Sequence, residues 1–525
     1  MSNRLVIEGL MAPTGTRYVL FQINRTEACI PLNKFAVGMK GAGSDLAEAG
    51  IPIIGNAAWA KVTERISKLE EWTEFNVIER VGWNGGSFAL PDGSVFSSDG
   101  EPFIVAFEKL QNKCSVKGTL KGWKKNVARP LEGQHLAIFT LMLAFMPPLL
   151  ALTQRVGNFG FEIVGQKGTG KSTLQHLMSS ILGGAIQGDD GHYWISLDTT
   201  LNAIEDVMPV HSDLPIIMDE ANLLAADATR QVKAARFQAI AFKLGYGSQK
   251  GRLGFPATRD YRLGFLISSN EPLASLIGTN ESARAAADRL ITLPLDEDHH
   301  HGVFDYVPDG FDSASMFARA LIAAANEHHG TAIRSYLDQL TKTRGADETA
   351  LKREIESYLG MFRSQVGVDG HDGSVLRIVD AFGLVYAAGR IAQRFKVLPR
   401  KLDCGKAALA SYYLHLKQNS AETMPFDERL QALAANPEAV HLDSKPPPSA
   451  DTIQATPYVF DKQGTRMFVH PSNIEELFPD WDDIKRVAMT PKFLKRDGNH
   501  MKVKKTIVPR EKPKRVYCFR VPKTA

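Results

Sequence analysis

The chain has 525 residues, 44% of them hydrophobic and 23% charged, the composition of an ordinary folded protein with room for about two to four domains. Its cysteines, Cys29, Cys114, Cys404 and Cys518, lie too far apart in sequence for a disulfide framework or a paired-thiol zinc site. The start, M-S-N-R-L-V-I-E-G-L, lacks the basic beginning and apolar core of a signal peptide, so a reduced, cytoplasmic setting is expected.

The formal net charge of +4 is unevenly placed. Residues 491–525 hold eight Lys and four Arg against one Asp and one Glu, which leaves the preceding 490 residues at −6. Such a terminal cluster is either a solvated tail or the electrostatic footprint of a nucleic-acid contact.

Residues 1–110 alternate strand-like runs, Arg17 to Ile23, Phe75 to Val81, Ser87 to Leu90 and Phe103 to Phe107, with a helical patch at Ala57 to Leu69. This predicts a small α+β domain. Trp83, Phe88 and Pro91 read as its core, with a base-stacking platform as the competing role. The apolar stretch His135 to Leu152 contains Pro147 and Pro148 and is expected to be a buried helix behind a sheet rather than a membrane span.

Residues 111–330 carry the most informative pattern. Phe159 to Val164 is an apolar run, Gly165 to Ser172 reads G-Q-K-G-T-G-K-S, and Thr173 to Leu182 is helix-like. Strand, glycine-rich loop and helix in that order form a phosphate cradle. Backbone N–H groups curl around the anion and the helix points its positive end at it. Gly165, Gln166, Lys167, Gly168, Thr169, Gly170, Lys171, Ser172 and Thr173 are the expected ATP-binding residues. Lys171 is placed to reach the β- and γ-phosphates and Ser172 to hold Mg2+.

Pro215 to Met218 then reads as a buried strand ending in Asp219-Glu220, one acid for the magnesium and the next to polarise water. Leu263 to Ile267 is followed by Ser268-Ser269-Asn270. Asn270 is expected to sense the γ-phosphate, with Ser269 as competitor. Between these strands lies the glycine-punctuated stretch 245–254, with Lys250 and Arg252 as candidates to follow DNA phosphates in a pore. Arg289, with Arg284 as alternative, is the expected arginine presented to a neighbouring subunit's ATP. The tract Asp296 to His301 is expected to be a polar loop, because adjacent histidines cannot all face one ion.

Residues 331–444 are helical by periodicity. Val375, Ile378, Val379, Phe382 and Val385 mark one helix face, and Glu354 to Phe362 belongs to another helix. Arg377, Arg390 and Arg394 remain equal candidates for a second sensor. Residues 445–457 form a proline-rich linker. Residues 458–525 are the basic module, predicted as a helix at Asp480 to Met489 followed by strands at Met501 to Val508 and Arg515 to Val521. That order suits a winged helix, with Lys502, Lys504, Lys505 and Arg515 as nucleic-acid contacts.

The order V-G-W-N-G-G-S-F-A-L-P-D-G (Val81 to Gly93), G-Q-K-G-T-G-K-S, I-I-M-D-E, G-Y-G-S-Q-K-G-R, L-I-S-S-N and D-R-L resembles the domain-of-unknown-function ATPases of bacterial mobile elements and prophages, which include MCM-like self-loading helicases. The resemblance runs from about Phe75 to Leu340. It implies an AAA+ core of the superfamily 3 and MCM type, a helical lid, a winged-helix terminus and a homo-hexameric ring. It further implies catalytic roles for Lys171, Asp219, Glu220 and Asn270, and a trans-acting one for Arg289. The family's pore loop begins Asn-Gly, whereas here the stretch begins Gly245-Tyr246-Gly247. The expected partners are single-stranded DNA in the pore and duplex at the terminal module, with no membrane. The rival expectation is an ATP-switched nucleic-acid-binding protein of regulation or defence that does not unwind.

Overall fold

A computed structural model describes residues 5–521 apart from 108–112, 154–156, 185–192, 197–200, 220–231, 233–234, 237–238, 241–242, 246, 248–259, 273–288, 296–299, 369–372, 424–425, 437–438, 443, 445–446, 462–464, 479–480, 482–487, 490–492, 496, 498–499, 501 and 509–510. Among the described residues the chain forms two compact units, the first through Leu414 and the second from His415. The architecture is mixed α/β.

The first unit begins with β1 (Val6–Met11), β2 (Arg17–Ile23), β3 (Thr26–Pro31) and β4 (Thr73–Glu74), in the order β3-β2-β1-β4. Asn24, with φ of 55°, makes the tight turn between β2 and β3, a conformation asparagine tolerates well. Alternation along β2 feeds two cores. Val19 and Phe21 pack with Ile7, Ile30 and the helix residues Leu46, Val62 and Ile66, while Tyr18 and Leu20 pack with Leu10 and Cys29. A parallel pair follows, β5 (Asn76–Ile78) with the later β9 (Phe103–Val105), enclosing an antiparallel meander of β6 (Gly82–Asn84), β7 (Ser87–Ala89) and β8 (Val95–Phe96).

His135–Phe145 is a helix continuing into the 3-10 turns of Pro147–Leu152, and Leu136 through Leu150 are buried throughout. Among the described residues no helix is long and apolar enough to cross a membrane. In front of this helix stands a five-stranded parallel sheet of β10 (Phe159–Val164), β11 (Ile195–Ser196), β12 (Leu214–Asp219), β13 (Leu263–Ser269) and β14 (Leu290–Pro294). Its order is β11-β12-β13-β10-β14. Covered on both faces, its main strands are near-continuous apolar runs.

Long helices complete the unit: Ala314–Glu327, Thr331–Ala346, Glu348–Val366, Gly373–Arg394 and, as far as Leu414, Cys404–Thr423. In Gly373–Arg394 the residues Val379, Phe382 and Val385 are buried, as periodicity predicts. Val375, in the first turn of the same helix, is exposed. Arg363 and Asp380 tie this helix to Glu348–Val366 through a two-point ion pair.

The second unit is an antiparallel sheet of β15 (Tyr458–Phe460), β16 (Arg466–Val469), β17 (Val503–Lys505) and β18 (Lys514–Arg520), in the order β15-β16-β18-β17. One face packs Phe460, Met467, Tyr517 and Phe519 with Phe426, Phe478 and Trp481, and the other packs Val459, Phe468 and Val516 with Ile453 and Val508. The expected basic hairpin is present as the edge pair of a larger sheet. Most of the expected helix Asp480 to Met489 lies outside the described residues.

Candidate functional site

Because the central sheet is parallel, β10, β12 and β13 deliver their carboxyl ends to one edge, where ligands bind in open α/β sheets. The strand entering the glycine-rich loop and the strand ending in Asp219 are not neighbours; β13 lies between them. Val164 is level with Ser269, and Met218 with Ile267, so Asp219 stands opposite Ser268. The Ser268 hydroxyl donates to Asp219 Oδ1 at 2.8 Å.

The loop turns sharply into the helix Lys171–Leu182. Gly168 and Gly170 have φ of 90° and 95°, a region costly for residues with a Cβ. A Cβ at Gly170 would also lie 2.8 Å from Val303 Cγ2. Val303 closes the outer wall, its N–H donating to the Thr169 carbonyl at 2.9 Å. Gln166, Lys167 and Gly168 are exposed, Ser172 is exposed at the helix start, and Thr173 is buried. Gln175 pins the helix to the sheet by donating to the Met218 carbonyl at 2.8 Å.

Lys171 folds back over this cradle. Its ammonium donates to the carbonyls of Gly165 and Gln166 and, at 3.2 Å, to Asn270 Oδ1. Burial pushes its pKa down, and the negative charge of Asp219 opposes that shift. Four sequence candidates, Lys171, Ser172, Asp219 and Asn270, are thereby brought to one edge. An exposed concave loop, a cation held by neutral carbonyls and an acid opposite a helix N-terminus suit a nucleotide triphosphate with Mg2+.

Ser269, the competitor to Asn270, is turned the other way. It is buried, and its hydroxyl donates to Glu162 Oε1 at 2.5 Å, while Thr292 donates to Glu162 Oε2 at 3.2 Å. Glu162 is fully buried in the middle of β10. Sequence reasoning missed it, although a lone acid inside F-G-F-E-I-V was a visible signal. It also missed Ser268 and Val303, which depend on strand pairing and loop return.

Arg289 precedes β14, and its carbonyl accepts from the Gly160 N–H at 2.9 Å. It therefore stands at the amino end of the sheet, separated from the phosphate loop by the six residues of β10, about 20 Å at ~3.3 Å per residue. Its side chain lies against Gly245, where a Cβ would meet Arg289 Cδ at 1.9 Å. Glu220, Lys250, Arg252 and Arg284 lie outside the described residues, as do residues 296–299 of the histidine tract; His300 and His301 are exposed. Arg394 pairs with Glu354 at 3.0 Å, and Arg390 lies 6.0 Å from the Tyr358 ring centroid.

The tryptophan-glycine stretch docks on the central sheet. The Trp83 N–H donates to Asp213 Oδ2 at 3.0 Å and its indole N–H to the Pro148 carbonyl at 2.9 Å. Asp213, fully buried, also takes a two-point pair from Arg262 at 2.5 and 3.0 Å. Trp83 is 4% exposed, with the Phe88 ring edge-on at 5.1 Å and the Arg344 guanidinium 4.3 Å above it. It is core, as the sequence favours.

In the second unit, Lys504 stands opposite Arg515 and Lys505 opposite Lys514 across the β17–β18 ladder, pairings that cost stability unless an anion offsets them. Lys502 and Lys505 lie 5.1 and 5.4 Å from the Tyr517 and Phe468 rings. A cavity of about 400 Å3 beside them is lined in part by Lys505, Lys512, Lys514 and His470.

Residues 22–254 match the family model described as "Domain of unknown function (DUF927)". No curated protein matches it. A solved structure titled "SCCmec type IV Cch - active helicase" aligns with a TM-score of 0.62 at 14% identity, covering 98% of this chain and 93% of that one. The two share a fold along nearly their whole length. The structure titled "The A form apo structure of NrS-1 C terminal region-CTR" covers 74% of this chain and 87% of its own at 11% identity, with a TM-score of 0.26, too low to carry an argument.

Proposed function

We propose that the chain is a P-loop ATPase of the AAA+ type that works on DNA as a helicase or translocase, as a homo-hexameric ring serving a mobile element or prophage. The observation carrying this reading is the convergence of Lys171, Asn270 and the Ser268-braced Asp219 on one sheet edge, within a fold shared end to end with a structure titled as an active helicase. Residues Gly165 to Thr173 hold ATP, with Ser172 and Asp219 for Mg2+. Bound ATP supplies a phosphoanhydride, and Mg2+ offsets the charge on its oxygens.

Lys171 exchanges its carbonyl partners for phosphate oxygens, and Asn270 orients the attacking water that Glu220 polarises. Arg289 is too far from its own loop to reach it, so its role is on a neighbour's ATP. Lys250 and Arg252 follow single-stranded DNA in the pore. Lys502, Lys504, Lys505 and Arg515 meet duplex phosphates on a winged-helix-like module.

The deciding experiment measures ATP turnover by wild type and Lys171→Ala, with and without single-stranded DNA, while recording oligomer size. DNA-stimulated turnover by a hexamer, lost in the variant, supports the motor. Turnover indifferent to DNA, or binding without turnover, replaces it with a nucleotide-held switch.

A further inference from the structure

The first unit carries a second concavity, an open cavity of about 540 Å3, whose described lining includes Lys124, Arg129, Lys396, Arg400 and Lys401 against a single carboxylate, Glu132. Its walls come from two stretches distant in sequence that are fastened together: the Lys124 ammonium donates to the Lys396 carbonyl at 2.8 Å. The turn 396–401 is held in shape. Lys396 sits at φ of 59°, a conformation uncommon outside glycine, and the buried Gln393 amide donates to the Pro399 and Leu402 carbonyls at 3.1 and 2.7 Å.

Packing gives no reason for these charges to be together. Arg129, Lys396, Arg400 and Lys401 are exposed, and among the described residues none of the four makes an ion pair. Like charges on a fixed frame repel one another, and an anion of several charges relieves that repulsion. The described lining offers no aromatic ring for stacking on a base, so its chemistry addresses phosphates rather than bases.

We propose that this cavity binds the phosphodiester backbone of nucleic acid, as a site additional to the pore and to the basic second unit. The inference rests on the reading of the chain as a nucleic-acid enzyme. Position gives the site a further interest. The Glu132 carbonyl accepts the Tyr306 hydroxyl at 2.7 Å, and three residues earlier Val303 is bonded to Thr169 of the phosphate loop. The segment 303–306 thus links one wall of the cavity to the phosphate loop.

The test is fluorescence anisotropy of a labelled single-stranded oligonucleotide across a salt series, using the full chain and its Arg129→Ala/Arg400→Ala/Lys401→Ala variant. Loss of three phosphate contacts should weaken binding at low salt by roughly tenfold or more and lower the log–log salt slope by about 2. The charge-conserving Arg129→Lys/Arg400→Lys/Lys401→Arg variant should keep both. Unchanged affinity and slope in the alanine variant would overturn the inference and leave the proposed function standing. Absence of oligonucleotide binding by wild type would overturn both. If the alanine variant instead lost only binding to phosphatidylserine vesicles, the cavity would be a membrane contact and the inference would fall.

Discussion

Ser268 holds one oxygen of the Asp219 carboxylate from the adjacent strand, at 2.8 Å. As the proposed Mg2+ acid, Asp219 fixed this way presents its other oxygen in a set direction. Ser268→Ala should therefore raise the Mg2+ concentration needed for half-maximal ATP turnover about 10- to 100-fold, the usual effect of removing an orienting partner. A magnesium titration reads this directly. An unchanged midpoint would remove Ser268 from the site.

Lys171 and Asn270 share a hydrogen bond at 3.2 Å, but their proposed roles separate. Lys171→Ala should lose nucleotide affinity and turnover together, the latter by roughly 10² or more. Asn270→Ala should keep ATP binding and lose turnover. Equilibrium nucleotide binding alongside single-turnover rates distinguishes the two, and equal loss of affinity in both variants would contradict the assignment.

Arg289, about 20 Å along the sheet from its own loop, is predicted to act only across a subunit boundary. Arg289→Ala should bind ATP normally and turn over about 10³ to 10⁵ more slowly. Mixing it with Lys171→Ala should restore part of the activity, since some interfaces then pair an intact loop with an intact arginine. Gly245→Ala should mimic Arg289→Ala, because the added methyl would sit 1.9 Å from Arg289 Cδ. No rescue on mixing would argue against a shared site.

His211 is buried with its Nδ1 bonded to the Val207 carbonyl at 2.9 Å, and burial pushes its pKa down to about 4. The unfolded chain takes up this proton near pH 6.5 and the folded one near 4, so stability is full above the first value and is lost as pH falls toward the second. The slope from this group is about 1.4 kcal/mol per pH unit. Thermal melts between pH 7 and 4 should fall less steeply for His211→Leu than for wild type.

Much of the site's architecture was legible because a buried parallel strand is an apolar run ended by a polar residue. Leu214–Asp219 and Leu263–Ser269 advertise themselves in this way. β1 and β3 were not legible: V-I-E-G-L-M and T-E-A-C-I-P carry a charge each and become strands only by pairing with β2. β15 and β16 were hidden similarly, so a four-stranded sheet read as a hairpin. Strand order, and with it Ser268 beside Asp219 and Ser269 on Glu162, depends on which strands neighbour each other in space, and no local pattern encodes that.

Gly82 bears on how this chain is to be dissected. Its φ is 87°, and a Cβ there would stand 2.4 Å from Asp213 Oδ2, so Gly82→Ala should cost about 2–4 kcal/mol from backbone strain and overlap together, read by thermal denaturation. The same closeness makes the amino-terminal segment a lid on the central sheet. A fragment beginning near residue 111 would leave the Pro148 carbonyl without its indole donor and open Asp213 and the apolar surface beneath Trp83 to water. Loss of activity in such a fragment would report a damaged scaffold rather than a missing recognition module, and point substitutions are the cleaner scalpel.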